Sequence, residues 1–161
     1  MFKRLLVPLD GSLFASRALP YAVEVAQRFG AEVILIQVIK PATTVVAAGA
    51  PVGISPDATA IAVQAAHDED KRNATRAARY LGGKARAMGS RHVQSSYRVV
   101  MGDVARSIIE FGERENIDLV VMTTQGKSGL KRAVMGSVAD AVIRKSGIPV
   151  LVIRPHTGNK K

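Results

Sequence analysis

Residues 33–39 read VILIQVI, an almost unbroken aliphatic run. A strand wetted on one face alternates apolar and polar residues, so a run without that alternation must be covered on both faces. That is the situation of a central strand in a parallel sheet. Further β-type runs fall at 4–9, 93–100, 119–123 and 148–153. Helical spacing intervenes: Ala15, Ala18, Leu19, Ala22, Val25, Ala26 and Phe29 form one apolar stripe, residues 103–115 a second amphipathic segment, and Val138, Ala141 and Val142 line a third. Strands that alternate with helices are joined by right-handed crossovers. The expected fold is therefore α/β, an open, doubly wound, five-stranded, mostly parallel sheet with helices on both faces in a single domain.

Local signals set the expected boundaries. Gly30 closes the first helix, and Pro20 lies inside its pattern, so that helix either kinks there or begins later with Ser16 as its cap. Residues 41–60 carry three prolines and two glycines among small residues. A structureless connection of that length is uncommon in a compact domain, and an inserted loop or lid is expected. Helix resumes no later than His67, with Asp68, Glu69 and Asp70 complementing the dipole at its start and Gly82-Gly83 weakening its middle. Along it Arg72, Arg76, Arg79 and Arg86 share one side, opposite Ala74, Ala78, Leu81, Ala85 and Met88. The last helix ends on Arg144 and Lys145 with Gly147 as its cap, and residues 156–161 form a frayed tail.

Composition excludes several function classes. With 161 residues, 47% of them hydrophobic, the chain is long enough for one well-buried core and too short for two ordinary domains. The absence of cysteine removes disulfides, thiol nucleophiles and thiolate metal sites together. The apolar run Leu5 to Leu9 ends at an aspartate, too short for a signal peptide or a spanning helix, and a cytoplasmic location is expected. The net charge of +10 raises nucleic acid as a partner. A single aromatic residue, Tyr80, stands among the arginines of the 67–90 region, too few to stack successive bases, so a solvated helix face is the better reading and nucleic-acid binding is not expected.

The chemistry concentrates at 120–138, VVMTTQGKSGLKRAVMGSV, where two glycine turns flank a short basic loop between a buried strand and a helix. Unpaired amides of such turns, with the positive end of a helix dipole beginning at Ser137, suit an anion and above all phosphate. Gly126-Lys127-Ser128 imitates the end of a P-loop, yet the required first glycine would fall at Val121, inside a strand. The dinucleotide fingerprint is missing as well. His67, Asp68, Glu69 and Asp70 are adjacent on a helix and point in different directions, so they make no metal site. His67, His92 and His156 lie outside the expected pocket, and no nucleophile elbow is present. Lys127, Lys131 and Arg132 are placed to assist phosphate binding. In doubly wound sheets ligands sit beyond the carboxyl ends of the strands, where strand order reverses. Pro8, Leu9 and Asp10, Val38, and the glycine loop converge on that rim.

Three stretches together, KRLLVPLDGS, TTQGKSGLKRAVMGSVAD and SGIPVLVIR, resemble the nucleotide-binding branch of the universal stress protein family. The resemblance covers the chain apart from residues 41–60 and the tail, and it implies a nucleotide-binding domain over 1–155. In that family a Gly-x-x-Gly, nine residues and a Gly-Ser or Gly-Thr hold ATP. Here Gly126 matches the second glycine, nine residues follow, and Gly136-Ser137 completes the pattern. Carried over by position, Asp10 with the backbone near Pro8 and Leu9 would contact adenine and ribose, Val38 would line the adenine pocket, and Met122 would lie beside the ribose. Gly126, Gly136, Ser137 and the Val138 amide would receive the phosphates, with Lys127 beside them. The implied ligand is ATP, with or without magnesium. Thr123 stands at the first glycine's position. A left-handed backbone there would cost a side chain roughly 1 to 2 kcal/mol, on the order of tenfold in affinity.

The resemblance further implies a homodimer joined through the strand at 149–153, which a two-fold axis would pair edge to edge. The expected activity is occupancy by an adenine nucleotide in a stress response, without a dedicated catalytic group. A slow ATP hydrolase and a nucleotide-independent or polyanion-binding scaffold are the alternatives that the sequence leaves open.

Overall fold

A computed structural model describes residues 1–42, 56–124 and 136–154. The aliphatic runs become strands β1 (Arg4–Pro8), β2 (Glu32–Ile39), β3 (Ser95–Met101), β4 (Leu119–Thr123) and β5 (Val150–Ile153). Between them lie α1 (Leu13–Ser16), α2 (Leu19–Phe29), α3 (Pro56–Gly89), α4 (Val104–Arg114) and α5 (Ser137–Lys145). The strands form one sheet in the order β3-β2-β1-β4-β5, and every neighbouring pair is parallel. The chain thus winds outward from β1 to β3, returns to the other side of β1, and winds outward again. The order reverses between β1 and β4.

The two sheet faces explain the missing alternation. Leu5, Val7, Val33, Leu35 and Val121 point to one side, where Ala22 and Ala26 of α2 and Leu81 and Met88 of α3 cover them. Leu6, Ile34, Ile36, Val120 and Met122 point to the other, against Ile108 and Phe111 of α4 and Ala139 and Val142 of α5. Central strands buried on both faces must be apolar at every position, as the expected architecture requires.

Several boundaries differ from the sequence expectation. The first helical stripe is two helices. Ser12 caps α1, its Oγ accepting from the Ala15 amide at 3.0 Å, and α2 restarts at Leu19 with Pro20 in its first turn, where a missing N–H is harmless. Ser16 is therefore no cap. Its hydroxyl lies 3.1 Å from the Ser12 carbonyl and 2.9 Å from the Tyr80 hydroxyl. Gly30 closes α2 in the left-handed conformation, φ 63°. The long helix begins at Pro56, within the limit of His67 expected from sequence, and residues 56–60 are helical rather than part of the inserted loop; residues 43–55 of that insertion lie outside the described residues. Gly82 and Gly83 do not interrupt α3, because burial of Leu81 and Met88 on either side of them ties the helix to the sheet. β3 and β5 each start two residues later than expected. The 156–161 tail lies outside the described residues. Among the described residues no helix is long and apolar enough to cross a membrane.

A polar clasp ties the amino ends of the strands. Asp118 Oδ2 accepts from the amides of Lys3 at 2.7 Å and Arg4 at 2.9 Å. The Arg4 guanidinium donates to the Glu115 carbonyl, pairs with the Glu115 carboxylate at 3.4 Å and lies 3.8 Å from that of Glu32. These amides hold the Asp118 carboxyl below its ordinary value of 3.8, against a small opposing desolvation. A depressed folded value means that the clasp's contribution is complete above pH 3.8 and fades as pH falls through the lower folded value. Asp118→Ala is expected to lower unfolding free energy by about 1 kcal/mol at pH 7. Urea melts at descending pH should show wild type and variant converging in the acid range; a pH-independent gap would contradict the charged-acceptor role.

Candidate functional site

The carboxyl ends of β1, β2 and β4, together with α3, α4 and the start of α5, enclose a cavity of about 850 Å³. It lies across the reversal in strand order, where neither crossover helix covers the rim.

Each strand delivers different groups. β1 ends at Pro8, opposite Ile36, and the Leu9 amide makes one further bond to the Ile36 carbonyl at 2.8 Å. Asp10 then turns the chain: its Oδ1 accepts from the Ser12 amide at 2.9 Å, and Gly11 takes φ 84°, a conformation that favours glycine. Pro8, Leu9 and Asp10 all line the cavity. The turn role and the cavity position coexist in Asp10. On β2, Val38 lies on the side of α4, near Val104. Gln37 faces the opposite side, its Nε2 toward Gly11.

β4 brings Met122, buried against the α4 and α5 side, and Thr123, buried at the strand's last position opposite Ile153. Thr123 keeps strand backbone. Among the described non-glycine residues only His92 and Asn116 have positive φ, so the left-handed penalty considered from sequence does not arise.

The entry to α5 rests on Gly136. Its amide donates to the Thr124 carbonyl at 2.7 Å, and a Cβ built on it would stand 2.8 Å from that oxygen. A side chain would push the α5 entry off the end of β4. As N-cap of α5 Gly136 brings no capping side chain, and Gly136, Ser137, Val138 and Ala139 border the cavity. An uncapped first turn directs its amides and the positive end of the dipole outward.

The residues singled out from sequence thus lie around one cavity, except Gly126 and Lys127, which fall outside the described residues with Lys131 and Arg132. Sequence reasoning missed a wall. Asn73, Arg76, Ala77 and Tyr80 of α3 also line the cavity. Their spacing is one helical stripe, but only the position of α3 over the end of β2 shows that the stripe meets a pocket. Arg76, read as part of a wet face, is exposed and stands on the cavity rim. Among the described residues no group of three or more histidine or acidic side chains could hold a metal ion.

The universal stress protein family model matches residues 1–154. The universal stress protein MJ0531 of Methanocaldococcus jannaschii is 31% identical over 154 residues, covering 96% of this chain and 83% of that protein. Among solved structures, that of MJ0577 from the same organism superimposes with a TM-score of 0.78 at 26% identity, covering 98% of this chain and 99% of that one. An Arabidopsis thaliana universal stress protein family member with AMP bound shares the fold at a TM-score of 0.62 and 16% identity, covering 96% and 93% of the two chains.

The Gly136 contact makes a direct prediction. Gly136→Ala is expected to lower the unfolding free energy by about 1 to 3 kcal/mol, since its methyl meets backbone rather than a yielding side chain. Guanidinium melts of wild type and variant measure this; equal midpoints would show that the α5 entry is not constrained as described.

Proposed function

The chain belongs to the universal stress protein family, and we propose that it binds ATP or a related adenine nucleotide at the carboxyl rim of its sheet. The observation that carries this reading is the uncapped start of α5 beside the cavity, held there by the close approach of Gly136 to Thr124. Phosphate supplies the acceptors that such a helix start lacks. In this reading the amides of Ser137 and Val138 receive phosphate oxygens together with Gly126 and Lys127, while Gly136, its own amide bonded to Thr124, fixes the turn that presents them, and Met122 and Thr123 lie beside the ribose. Asp10, with the backbone of Pro8 and Leu9, contacts the nucleoside, and Val38 lines the base pocket. Support comes also from the AMP-bound Arabidopsis relative, which has the same fold.

The proposed mode is occupancy rather than turnover: the filled site presents a different surface to partners in the stress response. The active form is a cytoplasmic homodimer paired through β5, with residues 149–153 at its centre. Among the described residues β5 is an outer strand that pairs only with β4, and Val150, Leu151 and Val152 are half-buried. Two-fold pairing would cover that edge in both copies.

Isothermal titration of the purified protein with ATP is expected to show saturable binding at one site per chain, with no phosphate release above background; absence of saturable heat would overturn the reading. Sedimentation equilibrium is expected to give twice the chain mass of 17.1 kDa, and a concentration-independent monomer would remove the β5 dimer.

A further inference from the structure

From Lys71 to Arg98 the chain carries eight lysines and arginines and not one aspartate or glutamate. Among the described residues none of the eight pairs with a carboxylate, whereas Arg4, Arg28, Arg106, Arg114 and Arg144 all do. Most of the net charge of +10 thus stands unneutralised along α3 and β3, at one end of the sheet. Arg72, Arg79 and Arg86 follow one another at seven-residue intervals, which keeps them on one side of the helix, and all three are exposed. The acid that β2 brings near this flank, Glu32, is already engaged, by the Ser96 hydroxyl at 3.2 Å and by Arg4 at 3.8 Å.

β3 is the outer strand beside that charge, and its far edge is open. The Val33 amide donates to the Gln94 carbonyl and the Gly102 amide to the Ile39 carbonyl, both at 2.9 Å. In a parallel ladder these bonds turn the main-chain groups of Ser96, Arg98 and Val100 toward β2, and those of Ser95, Tyr97, Val99 and Met101 away from it. Among the described residues only the Tyr97 carbonyl of the outward set has a partner, the Arg98 guanidinium at 2.8 Å. A groove of about 790 Å³ runs between this edge and α3, bounded by Gly82, Ala85 and Arg86 on the helix and Tyr97 and Arg98 on the strand.

We infer that this flank docks an extended acidic segment of a partner protein, which adds to the edge of β3 as a further strand and sets its carboxylates against Arg79 and Arg86. A peptide main chain supplies both the donors and the acceptors that the outward groups of β3 lack, and alternate side chains fall on the α3 side, over the groove. Charge selects among the possible occupants. A second copy pairing through β3 would bring the same cations face to face, and Arg98 on the edge guards against that pairing. The same cations favour an acidic strand. DNA would meet the charge, but its backbone has no N–H for the outward carbonyls, and Tyr97 is the one aromatic side chain of the groove. The inference does not depend on the nucleotide site, which lies at the carboxyl rim of the sheet.

The test uses a fluorescein-labelled octapeptide of alternating glutamate and valine, followed by fluorescence anisotropy at physiological salt and by amide shifts in ¹H–¹⁵N spectra of the protein. Saturable binding is expected, with the largest shifts at the Tyr97 and Val99 amides. Arg79→Gln/Arg86→Gln is expected to bind about tenfold more weakly, as the loss of two exposed ion pairs would give. The same peptide with every backbone amide N-methylated keeps its charge and loses its donors, and its binding is expected to fall at least as far. Equal binding of the methylated peptide, or shifts that avoid β3, overturns strand addition. No saturable binding overturns the docking site altogether. Tighter binding of a deoxythymidine octamer than of the acidic peptide would assign the flank to nucleic acid and overturn the inference as well.

Discussion

The fold depends on burying the central strands on both faces. β1, β2 and β4 carry apolar side chains to each side, and the helices must divide between the two faces to cover them: α1 to α3 on one, α4 and α5 on the other. A right-handed crossover can cover only one face at a time, so the chain leaves β1 in one direction, returns, and leaves in the other. The cavity is a by-product of that return. Helices diverge from the rim between β1 and β4, and the strand ends there border the cavity.

What the rim offers follows from how each strand ends. β1 ends on a proline and an aspartate that folds back to the Ser12 amide, so its carboxylate stays at the cavity wall. β4 ends on Thr123 in extended backbone, and the chain re-enters at Gly136, whose amide meets the Thr124 carbonyl. That contact fixes the start of α5 relative to the sheet. It sets the dipole and the uncapped first turn beside the same space that Val38 and Asp10 border. The opposite end of the sheet is built for rigidity, with Asp118, Arg4 and Glu115 joined in the clasp that ties β1 to β4. The polar clasp thus stands at the amino ends of the strands and the cavity at their carboxyl ends.

Much of this was legible in the residues because burial leaves a direct imprint on strand composition. Leu119–Thr123 was bounded correctly at both ends, and Asp103 begins its helix as a cap, accepting from the Arg106 amide at 3.0 Å. Boundaries that tertiary contacts set were less legible. Gly82-Gly83 reads as a weak point in the middle of the helix, yet α3 runs through it because its neighbours are anchored in the core. Pro56 opens a helix whose first turns are exposed, with no apolar stripe to announce them. The α3 wall of the cavity escaped for a related reason: Asn73, Arg76 and Tyr80 have the composition of any solvated face, and only the packing of α3 over β2 turns them toward a pocket.

The central claim is that an adenine nucleotide lies along the rim with its phosphates at the start of α5 and its base over β2. A crystal structure of the protein grown with excess ATP tests it most directly. The account predicts density for phosphate within hydrogen-bonding distance of the Ser137 and Val138 amides and for the base beside Val38. A rim filled by the protein's own side chains, or nucleotide bound elsewhere on the molecule, would contradict it.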